Sequence, residues 1–537
     1  MNDISIQTSR SGQDYALFDG IRLNSSYNPL AEAQRLIASE IKGTPSTILI
    51  SGCTLGYLIE EIQNRYPSVK ILCFFFHPIL LEYCKKKFTS RFPRSLVVIP
   101  SDPSSLDSFI SSNLQETDLE GLSIIEWSSS IRVFEEQADA LRRVLSQRIR
   151  EMNGSLMVTK TFGKSWIKNS FKNLYHLDQV VIPQEGVPAV VITGSGPSLT
   201  SSLDFLRENR KRLFILALTS SLITLSSYGI TPDAAIATDP GFWASFLANP
   251  LKDLRIPLFI PLSAAVPPKI LHCLPLVLLK QDMFYEQALL SDLPFDFIRI
   301  PPAGTVSDTA LRLGKKLTSG PLFVAGIDLC YEDIHLHSRP HVFDILDQIH
   351  SERRQPLLSR IWKRASDNTE RDLPGGSRRS LPFKTYAGWL SRSSDPLSTP
   401  VYRLNPSEVV IPGYVPLGNS DAHSILDQHT IMPFQPEDFF TEVPWDHNTR
   451  RQKILKVTKA WMEVVEDAIS SLASGKDNIT LDKTLYNLSY TLCVDDILHL
   501  HRLQRLGEHE KIWPLIENIL NNLRRIILEL RQPYEQR

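Results

Sequence analysis

The sequence predicts an α/β protein: two Rossmann-like, doubly wound parallel-sheet domains in series, followed by an α-helical region. Three patterns carry that expectation. Short apolar runs alternate with helical periodicity from about residue 47 to 150, and the same alternation returns from Ala189 to Ala325. Beyond Pro444, apolar residues recur at helical spacing with no strand-like run. The 537 residues exceed the roughly 250 that one core usually reaches, and a composition of 42% hydrophobic and 22% charged residues is that of a globular protein with several cores.

In the first series, Ile48-Leu49-Ile50 reads as a strand, Gly52 to Gly56 as a turn and Tyr57 to Tyr66 as a helix. Lys70 to Phe75 and Pro78 to Thr89 form the next strand and helix. Leu96 to Ile99 and Leu122 to Ile125 are further strands, and a helical pattern runs from about Ile131 to Met152. The turn lacks the middle glycine of a dinucleotide-binding loop. The second strand ends in Phe75-Phe76-His77, with no carboxylate for a ribose, so this domain reads as structural. Residues 155–188 read as a link.

The second series opens with a β-branched strand ending at Ile192, followed by Thr193-Gly194-Ser195-Gly196-Pro197-Ser198 and a helical pattern from Ser201. A strand turning through glycines into a helix can gather backbone amides and a positive helix end around a phosphate. A capped turn with nothing bound fits the spacing equally well. Strands at Leu213 to Leu218, Ala234 to Ala237, Leu258 to Ile260, Leu276 to Leu279 and Leu322 to Ala325 follow. Two aspartates stand at strand carboxyl ends, where open α/β sheets take ligands: Asp239, after Thr238, and Asp328. Gly304-Thr305-Val306-Ser307 opens a helix and is a second place for anion or base contacts, or a plain helix cap. His335 and His337 follow, and a neutral imidazole can serve as a general base toward a hydroxyl. Residues 351–400, rich in Arg, Ser and Pro, read as an exposed, mobile insertion. The end of the chain reads as about three helices.

The net charge of −1 provides no global field toward nucleic acid or an anionic membrane. Apolar runs fall short of the roughly 20 residues that span a bilayer. The first residues lack a secretory pattern, and the six cysteines, none in a Cys-x-x-Cys pair, fit reduced thiols. The expected address is cytoplasmic.

Taken in order, Gly194 to Leu199, Gly229-Ile230-Thr231-Pro232-Asp233, Thr238-Asp239, Gly304 to Ser307, Gly326 to Tyr331 and His337-Ser338 resemble the central domain of the motility accessory factor (Maf) proteins. Ser25 to Pro29 and Gly52 to Tyr57 resemble the N-terminal domain of that family. The resemblance implies a sialyltransferase-like central domain and a flagellin glycosyltransferase needed for motility. The reaction would move a nonulosonic acid from a CMP-activated donor to Ser or Thr of flagellin. It implies Asp239, Asp328 and His337 as catalytic residues, and Gly194, Ser195, Gly196, Pro197, Ser198, Thr238, Gly304, Thr305 and Ser307 as the nucleotide-sugar site. Magnesium is an open cofactor, and no nucleic acid partner is implied.

The implied division is 1–175, 176–432 with the insertion near 351–383, and a helical 433–537 that would bind the protein acceptor. The same sequence class is similar to 6-hydroxymethylpterin pyrophosphokinases (MptE-like), which would use ATP and Mg²⁺ on Asp239 and Asp328. A non-catalytic flagellin-binding chaperone is the third reading. One departure stands out: Ile327 occupies the place of a Gln in the family's Gly-Gln-Asp-Leu string.

Overall fold

The computed structural model describes residues 4–87, 96–98, 103–184, 186–187, 189–293, 295–367, 369–393, 400–429, 439–474 and 482–535. The chain starts with an antiparallel sheet of β1 (Ile4–Thr8), β2 (Asp14–Phe18) and β3 (Ile21–Arg22). Helix α1 (Pro29–Glu40) follows, capped by Asn28, whose side chain accepts from the Ala31 amide at 2.9 Å. Then come β4 (Thr47–Ser51), α2 (Tyr57–Arg65), β5 (Lys70–Phe75), α3 (Pro78–Lys87), β6 (Leu96–Val98), α4 (Pro103–Asn113), β7 (Leu122–Glu126), α5 (Ser128–Val133) and α6 (Glu135–His176).

The four strands β6-β5-β4-β7 pair in parallel, as the first alternating series predicts. The expected strand residue Ile99 and helix residues Phe88 and Thr89 lie outside the described residues. At Gly52 (φ +75°), an added Cβ would lie 2.9 Å from the Phe76 ring, so this glycine lets the first turn close against its own core. The stretch read as a link from 155 is instead the continuation of α6 to His176, since apolar residues keep helical spacing through Ile167, Phe171 and Leu174, all fully buried.

The second series comprises β8 (Gln179–Pro183), β9 (Val190–Thr193), α7 (Leu199–Glu208), β10 (Phe214–Leu218), α8 (Leu222–Ser227), β11 (Ala234–Ile236), α9 (Phe242–Leu247) and α10 (Leu251–Leu254). It continues with β12 (Leu258–Ile260), α11 (Pro268–Leu271), β13 (Pro275–Lys280), α12 (Phe284–Leu290), β14 (Ile298–Arg299), α13 (Val306–Leu317) and β15 (Leu322–Ala325). Next are α14 (Val342–Ile349), α15 (Leu357–Ser366), β16 (Thr369–Arg371), β17 (Arg378–Ser380), α16 (Leu381–Ser393), β18 (Val401–Leu404), β19 (Tyr414–Leu417), α17 (Asn419–Gln428) and β20 (Phe440–Val443).

The order is β19-β18-β15-β9-β10-β11-β12-β13-β8-β20, with β14 beside β13. Every pair is parallel except β20 on β8. Val190 to Ile192 are fully buried, as a central parallel strand covered on both faces requires. The segment 351–383, expected as an irregular insertion, holds α15 and the β16–β17 hairpin. Its basic residues flank a helix whose Ile361 and Ala365 are buried.

The chain ends in α18 (His447–Ala473), α19 (Lys483–Leu492), α20 (Val494–Leu506) and α21 (His509–Glu535). The middle helix expected at Thr484 to Leu506 is two helices, broken at Cys493 (φ −136°, ψ 43°). Contacts group the chain into two compact units: Met1–Gly163 with Trp461–Ile527, and Lys164–Ala460 with Leu528–Arg537. In the first unit, the buried carboxylate of Asp118 takes Lys70 at 2.7 Å and Arg505 of α20 at 2.5 Å. Cys53, Cys73, Cys84 and Cys330 are buried free thiols, while Cys273 is exposed. Among the described residues, no helix is long and apolar enough to cross a membrane.

Candidate functional site

In the large sheet the chain leaves β9 in both directions, through β10 to β13 on one side and through β15, β18 and β19 on the other. The crevice outside the carboxyl ends of β9 and β15 is the topological switch point, where open α/β sheets hold ligands. The loops after these two strands are Gly194 to Ser198 and Gly326 to Tyr331. They are laced together: the Gly194 amide donates to Ala325 O at 2.8 Å, and the Gly196 amide to Gly326 O at 2.7 Å. Gly326 has φ +67°, and a Cβ there would lie 2.5 Å from Gly194 O. A Cβ on Gly194 would overlap Gly326 O in return. The two glycines therefore serve backbone-to-backbone approach.

Asp328 completes the lacing. Its carboxylate accepts from the Ser198 amide at 2.8 Å and from Ser198 Oγ at 2.6 Å, at the N-terminus of α7. Arg403, buried on β18, lies 3.7 Å from that carboxylate. It donates through Nη2 to Ile327 O at 2.7 Å and also bonds Val409 O. Burial holds the Arg403 guanidinium below its usual range, and the Asp328 charge opposes that shift. Two expectations change here. The amides of Gly194, Gly196 and Ser198 are bonded within the protein and do not converge on a phosphate, because Asp328 already supplies the anion that this helix end attracts. Asp328 itself is a clamp, each of its oxygens accepting one hydrogen bond from Ser198. Ile327, in the place of the family's Gln, is buried in the core of the sheet.

Ser195 and His337 meet at the mouth of the crevice. Ser195 Oγ lies 3.1 Å from His337 Nδ1, and the Ser338 amide donates to Ser195 O at 2.7 Å, fixing the segment that carries the histidine. His337 stacks on His341 with ring centroids 4.0 Å apart and planes 17° apart. Burial first, then the nearby Arg364 charge, lowers His337 to about 4. Burial first, then the interaction with the neighbouring His337 and Arg364, lowers His341 to about 3. Both rings are therefore neutral at pH 7. His337 also lines a cavity of about 390 Å³, with Trp243, Phe343, His350, Arg360 and Arg364 among its walls. His335 closes a tight turn with Glu332 instead.

Two of the remaining expected residues, Asp239 and Gly304, lie against α16. Asp239 is exposed, and its carboxylate accepts from the Gly241 amide at 2.6 Å. Burial and then the Asp239 charge push the Tyr386 hydroxyl up, which puts Tyr386 beside Asp239. Tyr386 stacks on Trp389 at 5.5 Å, and Trp389 lies so close over Gly304 that any side chain there would overlap it. Thr305 caps α13, accepting from the Asp308 amide at 3.1 Å, with Ser307 half-buried one turn inside. Thr238 and Pro197 are half-buried at their strand ends. Asp233 of the Gly229 to Asp233 string is structural: buried, it takes Arg210 at 2.7 and 2.9 Å and the Ile215 amide at 2.7 Å. The sequence reading missed Trp243, Phe343, Tyr386, Trp389 and the two arginines. The spacing of Arg360 and Arg364, four apart on a helix, was the one visible signal.

The fold thus defines a doubly wound α/β protein with a topological switch point between β9 and β15. Residues 164–333 match the family model described as 6-hydroxymethylpterin diphosphokinase MptE-like. Two uncharacterised proteins of Treponema pallidum are similar in sequence: 26% identical over 285 residues (53% of this chain, 60% of that protein) and 27% over 108 residues (19% and 50%). The chain therefore spans only half to 60% of the length of these relatives. Among solved structures, the Maf glycosyltransferase of Magnetospirillum magneticum AMB-1 superposes with a TM-score of 0.63, covering 100% of this chain and 92% of the other at 12% identity. That likeness is one of fold. Residues 164–333 are thus similar to the MptE-like family, and the fold of the chain is similar to that of the Maf glycosyltransferase.

Proposed function

We propose that the protein is a glycosyltransferase that moves a nonulosonic acid from a CMP-activated donor to a Ser or Thr hydroxyl of flagellin. The observation that carries this reading is the neutral His337, held by Ser195 at the switch point and facing a cavity, in a fold shared with a glycosyltransferase. The acceptor oxygen attacks the anomeric carbon while the bond to the donor phosphate breaks, so positive charge builds in the sugar and negative charge on the leaving group. His337 takes the hydroxyl proton. Ser195 orients the ring, and Asp328 and Arg403 keep the two strand ends in register beneath it. Thr238, Asp239 and the Gly304 to Ser307 loop, under Tyr386 and Trp389, receive the nucleoside.

The pterin pyrophosphokinase reading is favoured by the description of the matching family model. It needs Asp239 and Asp328 as metal ligands; each oxygen of Asp328 already accepts one hydrogen bond from Ser198, and Asp239 is exposed. Among the described residues, no three His, Cys, Asp or Glu side chains gather into a metal site. No step is assigned to magnesium.

The test is to incubate the protein with flagellin and a CMP-nonulosonate, and separately with ATP, Mg²⁺ and 6-hydroxymethylpterin. The glycosyltransferase reading expects the flagellin mass to rise by the sugar residue. His337→Gln should lower that rate by about 10² to 10⁴, as loss of a general base does, with donor affinity retained. Diphosphorylated pterin with unmodified flagellin would overturn the reading.

A further inference from the structure

Away from the crevice, the second unit holds a histidine pair that the transfer step does not use. His176 is the last residue of α6, and His272 directly follows α11. The two are remote in sequence, yet His176 Nδ1 lies 3.2 Å from His272 Nε2, with ring centroids 5.1 Å apart and planes at 89°. On its far side, His272 Nδ1 is 2.9 Å from Asp178 Oδ2. A carboxylate only accepts, so Nδ1 of the neutral ring carries the proton and Nε2 turns its lone pair toward His176. His272 and Asp178 are exposed and His176 is half-buried, so the pair is reachable from solvent.

We infer that His176 Nδ1 and His272 Nε2 are the two protein ligands of a divalent cation of the zinc class, with Asp178 orienting His272 from behind. The spacing fits: two nitrogens bound to one tetrahedral zinc at about 2.0–2.1 Å stand about 3.3 Å apart. The surroundings fit as well. A ligating histidine usually donates its other ring N–H to a carboxylate, which fixes its tautomer and raises its basicity, and Asp178 is placed to do so. The field agrees, because the carboxyl end of a helix is its negative end and α6 ends on His176. A hydrogen bond between the rings uses the same two nitrogens. When the cation enters, the neutral His176 ring carries its proton on Nε2 instead of Nδ1, and no proton is lost. Among the described residues no three His, Cys, Asp or Glu side chains gather around one point, so the remaining positions fall to water.

Two protein ligands, against the three of a catalytic zinc, make this a staple. The last turns of α6 already grip the loop after β12. Asn173 Nδ2 donates to Leu262 O at 2.8 Å and Ala264 O at 2.7 Å, Lys172 Nζ to Val266 O at 2.9 Å, and Asn169 Nδ2 to Ser263 O at 3.0 Å. The cation adds the end of α11 to that grip. The same loop donates the Ala265 amide to Asp239 O at 2.9 Å, so the staple bears on the segment that carries Asp239.

The experiment is calorimetric titration of the metal-free full chain with zinc, read beside melting curves with and without zinc. The wild type should take up zinc at this site and melt at a higher temperature with it. His176→Gln and His272→Gln should each abolish that uptake and the rise. Asp178→Asn should weaken zinc by about tenfold to a hundredfold, as loss of such an outer partner does. Cys273 is an exposed thiol beside His272 and a zinc ligand in its own right, so Cys273→Ser is the control and should bind as wild type does. Metal-free melting shows that the variants fold, and the two histidine changes report on one site from two elements. A wild type that takes up no zinc, histidine variants that bind it as wild type does, or loss of binding with Cys273→Ser would overturn the inference and leave the ring contact a plain hydrogen bond. None of these outcomes depends on the glycosyltransferase reading.

Discussion

At the scale of the residue, burial determines what each titratable group can do. His337 is neutral because its surroundings penalise the imidazolium, and a neutral ring is what proton abstraction needs. The unfolded chain protonates this histidine near 6.5, the folded one only at about 4. Between those values the unfolded state holds more protons, so stability rises with pH from about 4 to 6.5 and is lost on acidification through that window. His341, lowered to about 3, acts in the same direction. His337→Gln should therefore flatten the dependence of urea-unfolding free energy on pH between 4 and 6.5. The same neutrality sets the acid limb of kcat/KM near 4; a limb at the ordinary histidine value would assign the base to another residue. The sequence disclosed which residues meet in the crevice but not their states. Asp328 at a strand end looked open, and only the placement of Ser198 shows that each of its oxygens accepts a hydrogen bond.

Among elements, local pattern was a good guide to strands and a poor guide to partners. The apolar runs at β9, β10, β12 and β15 were legible because a central parallel strand is apolar on both faces. The edge strands β19 and β20, and β18 beside β19, were missed: in β20, Thr441 and Glu442 are exposed, so no apolar run marks it. Helix α6, expected to end near Met152, runs on through Gly154 and Gly163. Gly163 has a packing reason to be there: a Cβ at this position would overlap the Thr491 carbonyl oxygen of α19, so the glycine lets two helices of the first unit touch backbone to backbone. Intrinsic helix propensity favours Ala over Gly by about 1 kcal/mol. Close packing opposes it, and an overfilled contact costs about 1–3 kcal/mol. Gly163→Ala should lower the denaturation midpoint of the first unit, whereas Gly154→Ala, with nothing near its Cβ, should leave it unchanged or raise it. A Gly163→Ala protein more stable than wild type would show that α6 and α19 do not touch in this way.

For the whole molecule, the sequence read as three consecutive stretches because composition changes along the chain, whereas contacts assemble residues that are far apart in it. The first unit joins Met1–Gly163 to Trp461–Ile527, and nothing in the periodicity of α19 and α20 announces which unit they join. The physical bond is specific. Asp118 has no solvent-exposed side-chain surface and divides its charge between Lys70 and Arg505; Leu119, Leu156, Val494 and Leu498 close an apolar cluster beside it. Removing the late helices leaves a buried carboxylate with half its compensation, and breaking such a pair costs about 3–5 kcal/mol, before any apolar loss is counted. That is a large part of the roughly 5–15 kcal/mol by which a domain is stable. A fragment of residues 1–163 should therefore show no cooperative melt, and adding residues 461–527 as a second fragment should restore one. Removing only residues 528–537 should spare the first unit and weaken the second, where Tyr534 packs on Tyr175 at 5.0 Å and accepts from Arg451 Nε through its carbonyl at 2.8 Å. Should residues 1–163 alone melt cooperatively at the temperature of the intact first unit, the late helices are an appendage and the discontinuous unit does not exist in solution.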